Sequence, residues 1–304
     1  MELRHLRTFR TVARTLNFTR AASELNYAQS SVTEQIQALE SELATKLFDR
    51  SRRRLSLTPA GERLVEYADQ LLVLAREARL AVAEEAEEPG GVLTVGGLET
   101  LCAHRLPAVL ARYRELSPRV GVTVREGGRG ELYDAVRRGE IDVALTFGTA
   151  PVDKLLTSEP LAPERLMVVT PVGHRLAAHA QVDGHDLRGE PFLATPQGCG
   201  FREMLDSLIQ SLGQDGPFVD TQVASIAALA QCAAAGMGCV LLPETAAAGP
   251  AARGEVAAMP LTGGFSQTEV TMTWSHRSQG RPSVSAFLAV ARATFENRPT
   301  GRAA

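Results

Sequence analysis

Cysteine is scarce in this chain of 304 residues: Cys102, Cys199, Cys232 and Cys239 are scattered without CxxC or Cys/His spacing. Neither a disulfide framework nor a zinc module organises such a sequence, and a reducing cytoplasm suits it. Catalytic signatures are missing too. There is no GxSxG, HExxH, Walker A or GxGxxG stretch, and the six histidines (His5, His104, His174, His179, His185 and His276) fall outside ligand spacing, so no enzyme, cofactor or metal is expected. The opening MELRHLRTFR is charged throughout and lacks an apolar segment, which argues against a secretory signal. Residues 223–242 are twenty without a charge, nominally enough to cross a bilayer. Their alanine, glycine and serine content, with Gln231 and Gly236 inside and Pro243 after them, reads instead as a buried helix, a glycine turn and a short strand, so no membrane partner is expected.

A large net charge is also absent, at −3 for the whole chain. That average hides an asymmetry: residues 1–60 carry ten basic and six acidic side chains, whereas residues 61–88 carry three basic and eight acidic ones. A basic head followed by an acidic connector suggests a module that binds a polyanion. At 44% apolar content over 304 residues, the chain is too long for one compact core, and two domains or more are expected.

Leu3, Leu6, Phe9, Val12, Ala13 and Leu16 recur at helical spacing, and Asn17 stops this first helix. Thr19 is placed to cap a short second helix with Ala22 and Leu25 inward, and Asn26-Tyr27-Ala28 turns the chain. Val32, Ile36, Leu39 and Leu43 then form the buried stripe of a third helix, with Ser31 and Glu34 as its capping box. Gln29, Ser30, Ser31, Thr33, Gln35 and Gln37 occupy its other face. This is a helix-turn-helix pattern: the second helix of such a motif fits the major groove, where short hydroxyl and amide side chains meet base edges. A three-helix bundle with a solvated polar face is the competing reading.

Ser51-Arg52-Arg53-Arg54 before Leu55-Ser56-Leu57 reads as a two-stranded wing with a basic tip suited to phosphate or minor-groove contact. Thr58-Pro59 then supplies a cap and a proline at the first helical position of a helix of roughly 27 residues. Along it Leu64, Ala68, Leu71, Ala75, Ala78 and Val82 keep a heptad rhythm, a narrow stripe suited to a partner helix and hence to a homodimer. Pro89-Gly90-Gly91 ends it.

From residue 92, strands near 92–95, 120–125, 141–145, 166–169, 192–194, 240–242 and 268–274 alternate with helices near 106–116, 131–138, 201–212, 226–235 and 283–295. Repeated units of this kind imply a largely parallel α/β sheet. Ligands of such sheets bind beyond the strand ends, where helix N-termini present free N–H groups. Three junctions qualify: Gly97-Leu98-Glu99-Thr100, Thr195-Pro196-Gln197-Gly198-Cys199 and Ser225-Ile226. Ordinary helix capping is the competing role for Thr100 and Ser225. Arg129 and Arg202 suit an anionic ligand such as a carboxylate.

Asn17-Phe18-Thr19-Arg20-Ala21-Ala22-Ser23-Glu24-Leu25, the run from Gln29 to Glu40, Leu47-Phe48-Asp49-Arg50 and Leu57-Thr58-Pro59-Ala60-Gly61 together resemble the N-terminal signature of LysR-type transcriptional regulators. The likeness continues more weakly to about residue 295, through Gly139-Glu140-Ile141-Asp142 and Ala235-Gly236-Met237-Gly238. The resemblance implies a winged helix-turn-helix over 1–58, a dimerising linker helix over 59–90, and an α/β effector domain over 91–304 similar to type 2 periplasmic binding proteins. Lobe I of that domain is expected at about 91–160 plus 265–304, and lobe II at about 161–264.

On this resemblance DNA is met by Thr19, Gln29, Ser30, Ser31, Thr33, Glu34, Gln35, Arg52, Arg53 and Arg54. An effector is held by Thr100, Gly128, Arg129, Thr146, Phe147, Thr195, Gly198, Cys199, Arg202, Ser225 and Ile226. Glu34 departs from the family, many of whose members carry a basic residue there. The implied protein is a cytoplasmic, ligand-responsive regulator, commonly a homotetramer on a partly palindromic double-stranded operator, touching RNA polymerase if it activates. Two alternatives are a redox-responsive regulator using Cys199, disfavoured because residues 201–216 lack a second cysteine, and a solute-binding protein without DNA function.

Overall fold

The computed structural model describes residues 1–49, 55–84, 91–150, 152–197, 200–213 and 216–296, which fall into two compact units, 1–85 and 86–304. In the first unit Leu3–Thr15 (α1), Phe18–Leu25 (α2) and Gln29–Glu42 (α3) close around Leu6, Phe9, Val12, Ala21, Ala22, Val32, Ile36 and Leu39. Leu3, Leu16 and Leu43, which share the apolar rhythm, lie at helix ends and stay exposed. Leu16 and Asn26 take left-handed φ values of +46° and +54° and so end α1 and α2 sharply.

The caps differ from expectation. Asn17, one residue ahead of α2, accepts the Arg20 N–H at 3.0 Å, so it does the capping assigned to Thr19. α3 starts at Gln29 after Ala28, without a side-chain cap. Ser31 and Glu34 already lie inside its first two turns, where no capping box can form.

Phe48–Asp49 (β1) and Ser56–Leu57 (β2) pair antiparallel as the base of the wing; Arg52, Arg53 and Arg54 lie outside the described residues. Pro59–Glu84 (α4) follows. Thr58 accepts the Gly61 N–H at 3.0 Å and donates to the Lys46 carbonyl at 2.7 Å. Gly61 has no room for a side chain, since a Cβ there would stand far inside van der Waals distance of the Leu47 carbonyl oxygen. Glu40 is buried beneath the wing and accepts from the Leu47 and Phe48 N–H groups and from Lys46 Nζ. Burial alone would raise its pKa, but these donors outweigh it and hold the carboxyl below its usual range.

In the second unit Val92–Gly97 (β3), Gly121–Glu126 (β4) and Val143–Phe147 (β5) run parallel with β3 in the middle, joined by Glu99–His104 (α5), Leu106–Leu116 (α6) and Arg129–Arg137 (α7). Gln267–Ser275 (β11) and Leu156–Thr170 (β6) extend this sheet antiparallel, so it is mixed where a largely parallel one was expected. β6 is longer than its apolar core at 166–169 suggests. Its first half carries Pro160 and Pro163 and pairs only with β11; prolines are tolerated where one strand edge is free.

The second half of β6 enters another lobe, where Val240–Pro243 (β9) and Ala257–Pro260 (β10) flank it. Pro191–Ala194 (β7) pairs with Phe218–Gln222 (β8) and touches β9 through the Phe192–Cys239 bridge. Gly200–Leu212 (α8), Ile226–Ala234 (α9) and Glu244–Ala252 (α10) complete this lobe, and Pro282–Glu296 (α11) returns to the first. Residues 223–242 thus hold α9 and β9, and among the described residues no helix is long and apolar enough to cross a membrane. Asp142 ties the first lobe together, accepting from the Thr94 N–H at 2.8 Å and pairing with buried Arg281 at 2.6 Å.

Candidate functional site

In the first unit, Gln29, Ser30, Thr33, Glu34 and Gln37 recur at helical steps along one side of α3, opposite the buried Val32, Ile36 and Leu39. Gln29, Ser30, Glu34 and Gln37 are exposed, and Thr33 is half-buried with its hydroxyl donating back to the Gln29 carbonyl at 3.0 Å. The Thr19 hydroxyl donates to Gln29 Oε1 at 3.0 Å, joining the start of α2 to the start of α3. Ser31 and Gln35 lie on the flank. Gln35 Oε1 accepts from the buried Thr8 hydroxyl of α1 at 2.7 Å, which fixes that side chain against the core. The surface so formed offers hydroxyl and amide groups, able both to donate and to accept, at the open N-terminal end of a helix.

α4 is used differently from the heptad expectation. Ala68, with partly buried Leu64, Val65 and Leu72, packs on the core of the first unit. Tyr67, Leu71 and Leu74 are 62%, 37% and 54% exposed, with exposed Ala78 one turn on, so an apolar stripe is displaced from the one expected and shares Leu71 and Ala78 with it. Ala75 is half-buried, and the side chain of Val82 lies outside the described residues.

In the second unit a cavity of about 470 Å³ lies between the lobes. The starts of α5 and α7, with Thr100, Gly128 and Arg129, face Thr195, Gln197, Phe201 and Ile226 across it. Other expected residues stand behind this lining. Thr146 shares a 2.9 Å hydrogen bond with Tyr133, and the Phe147 ring meets that of Phe201 at 4.9 Å between centroids. Arg202 turns to Asp206 at 2.8 Å and to the Thr195 carbonyl at 3.3 Å. Gly198 and Cys199 lie outside the described residues.

Ser225 caps α9, accepting the Ala228 N–H at 3.3 Å, and its hydroxyl donates to Glu99 at 2.9 Å. Glu99 also accepts the Ile226 N–H at 3.0 Å. A carboxylate of one lobe therefore occupies the helix N-terminus of the other. A second tie crosses the cleft, from Arg129 to Glu203 at 2.5 Å. By contrast, the Thr100 and Thr195 hydroxyl oxygens are buried and have no hydrogen-bond partner among the described residues.

Glu99 and Glu203 are not among the ligands expected from the sequence, which are mainly hydroxyls and arginines. Their signal is a carboxylate in the first turn of a helix, which a single chain shows at many positions. His174, Glu190 and Cys239 also come together, with ligand atoms within 4.8 Å of one another. Arg175 pairs with the same carboxylate at 2.6 Å, and His174 Nδ1 accepts the Leu176 N–H at 3.3 Å, which closes the group on itself. Burial, aided by the nearby carboxylates Glu126 and Glu190, pushes the Cys102 and Cys239 thiols up to about 11 and about 12, so both stay protonated near neutrality.

Residues 3–62 match the family described as bacterial regulatory helix-turn-helix protein, lysR family, and residues 86–296 match the LysR substrate binding domain. The transcriptional regulator GltR of Bacillus subtilis is 32% identical over 297 residues, covering 97% of this chain and 98% of its own. Among solved structures, a full-length OxyR variant from Pseudomonas aeruginosa superposes with a TM-score of 0.71 at 24% identity, covering 98% of this chain and 95% of that one. HinK, a LysR family transcriptional regulator from the same organism, gives 0.59 at 28% identity, covering 97% and 98%. With family models matched over residues 3–62 and 86–296 and a relative 32% identical over nearly the whole chain, the chain belongs to the LysR family of DNA-binding transcriptional regulators.

Proposed function

We propose that the first unit reads an operator through the exposed face of α3 and that a small molecule in the interlobe cleft changes how the protein sits on that DNA. The observation that carries this reading is the face itself: Gln29, Ser30, Thr33 and Glu34 stand clear of the core at the uncapped start of a rigid helix. Amide and hydroxyl groups there suit base edges, and the free N–H groups suit a phosphate. Thr19 orients Gln29, Gln35 is a flank residue held by Thr8, and Ser31 lies beside it. Arg52, Arg53 and Arg54 supply phosphate contacts from the wing.

The homodimer is proposed to form along Tyr67, Leu71, Leu74 and Ala78, the apolar stripe of α4 left over once Leu64 and Ala68 have packed on the head. Two dimers on a partly palindromic site make the tetramer, and an activator of this design would also meet RNA polymerase. The protein works by binding, without a catalytic step, in the cytoplasm where the chromosome lies. An effector shifts the assembly only by its unequal affinity for two arrangements.

Fluorescence anisotropy with DNA flanking the protein's own gene tests the reading. A complex is expected that outcompetes random DNA and weakens steeply with salt; no complex even at low salt rejects it. Replacing Arg52, Arg53 and Arg54 together by alanine should weaken binding on every sequence and flatten the log–log salt slope by about 0.9 for each phosphate no longer neutralised. An unchanged slope removes the wing from the interface.

A further inference from the structure

The charges in the cleft point away from the carboxylate effector that Arg129 and Arg202 suggest in the sequence. An anion needs an unspent positive group. Arg202 is spent on Asp206, and Arg129 is spent on Glu203. Of the positive helix ends on the lining, those of α5 and α7 carry Glu99 and Glu131 in their first turns, and that of α9 is filled by Glu99, which takes the Ser225 hydroxyl and the Ile226 N–H. The cavity thus already holds its own carboxylate where a ligand anion would dock.

What is left is acidic and hydroxylic. Glu126 is exposed on the cavity lining and makes no ion pair among the described residues. Thr100 and Thr195, on opposite lobes, are 2% and 3% exposed and bring hydroxyl oxygens without partners to the same lining. Buried polar atoms left unsatisfied in this way mark a place for a missing partner. A donor-rich cation supplies the hydrogen bonds that the two hydroxyl oxygens lack and is attracted by the carboxylate of Glu126. Gly198 and Cys199 carry no formal charge and leave this balance unchanged.

We propose that the cleft takes an effector bearing a protonated amine or amidine, with Glu126 as countercharge, the Thr100 and Thr195 hydroxyls as acceptors, and Glu99 as the resident anion that keeps carboxylates out. This rests on the interlobe cleft being the effector site. A cavity of about 470 Å³ is of a size for a small metabolite.

The experiment is a calorimetric titration of the full-length protein with probes matched in size: phenethylamine against 3-phenylpropanoate, and 1,5-diaminopentane against glutarate. The amine of each pair is expected to bind the wild type at least tenfold more tightly than the carboxylate. Glu126→Gln should lose that preference. Glu99→Ala, which vacates the α9 N-terminus, should gain carboxylate binding; Glu99→Gln, which keeps the shape, should show the same drift if the alanine variant fails to fold. Tighter binding of carboxylates by the wild type overturns the amine class and leaves the cleft reading standing. Binding of neither class to the wild type, with no gain in the Glu99 variants, overturns both.

Discussion

The face proposed to read DNA and the cleft proposed to hold an effector are built by opposite means. The face is local: Gln29, Ser30, Thr33, Glu34 and Gln37 sit on one 14-residue helix whose opposite side is buried in the core of the first unit. The cleft is assembled from residues 98–100, 126–129, 195–197, 201, 224 and 226, with some of its polar groups cross-paired between lobes and some buried and unpaired among the described residues. A surface that must meet any one of many base sequences needs rigidity beneath and freedom above. A pocket that must change state on binding needs contacts that hold in one arrangement and fail in another.

The largest expected effect isolates the second unit. Arg281→Met removes the buried cation that pairs with Asp142, and removing one side of such a pair costs about 3–5 kcal/mol. Urea unfolding followed by hydrogen exchange should show protection lost across residues 86–304 and retained in 1–85. Equal loss in both units would show that they do not fold separately.

Next come two changes confined to the head. Gly61→Ala forces a Cβ into the Leu47 carbonyl oxygen and should cost roughly 1–3 kcal/mol, read as a lower denaturant midpoint for the head alone. Glu40→Gln should cost about 2 kcal/mol at neutral pH, since hydrogen bonds to an ionised group are lost. The folded pKa of Glu40 is depressed, so its contribution is fully present above the unfolded value and fades as pH falls through the folded one. The gap between variant and wild type should therefore be constant above about pH 5 and shrink in acid; a gap independent of pH would mean that Glu40 is not held ionised.

Those local features are the legible ones. Val32, Ile36 and Leu39 at helical spacing are buried as their pattern predicts, and Thr58-Pro59 starts α4 where cap and proline place it. Helix starts fall one to three residues from where the pattern puts them, because Asn17, Thr19 and Ser31 are all good cap types and only tertiary placement chooses among them. The heptad stripe on α4 is shifted because one apolar flank is consumed by the head, which a periodicity cannot show. In the second unit the junctions at Thr100, Thr195 and Ser225 are visible as strand-to-helix turns. The Glu99–Ser225 and Arg129–Glu203 ties are not, since they join residues 126 and 74 positions apart.

The smallest effect tests the support beneath the reading face. Thr8→Val removes the hydroxyl that fixes Gln35 and should cost less than about 1 kcal/mol in discrimination between operator variants, with overall affinity nearly unchanged. A large loss of affinity on all DNA would place Thr8 in the fold, not in specificity.

The central claim is that the cleft and the reading face are coupled. Its most direct test is the operator footprint and affinity of Glu99→Gln against wild type at fixed salt, because Glu99 lies in the second unit, outside the head whose α3 is proposed to read DNA. Coupling of about 1–3 kcal/mol predicts a change of roughly five- to 150-fold in affinity, or a footprint of altered length, with the same salt slope. Identical affinity and an identical footprint, from a variant that folds as the wild type does, would contradict it.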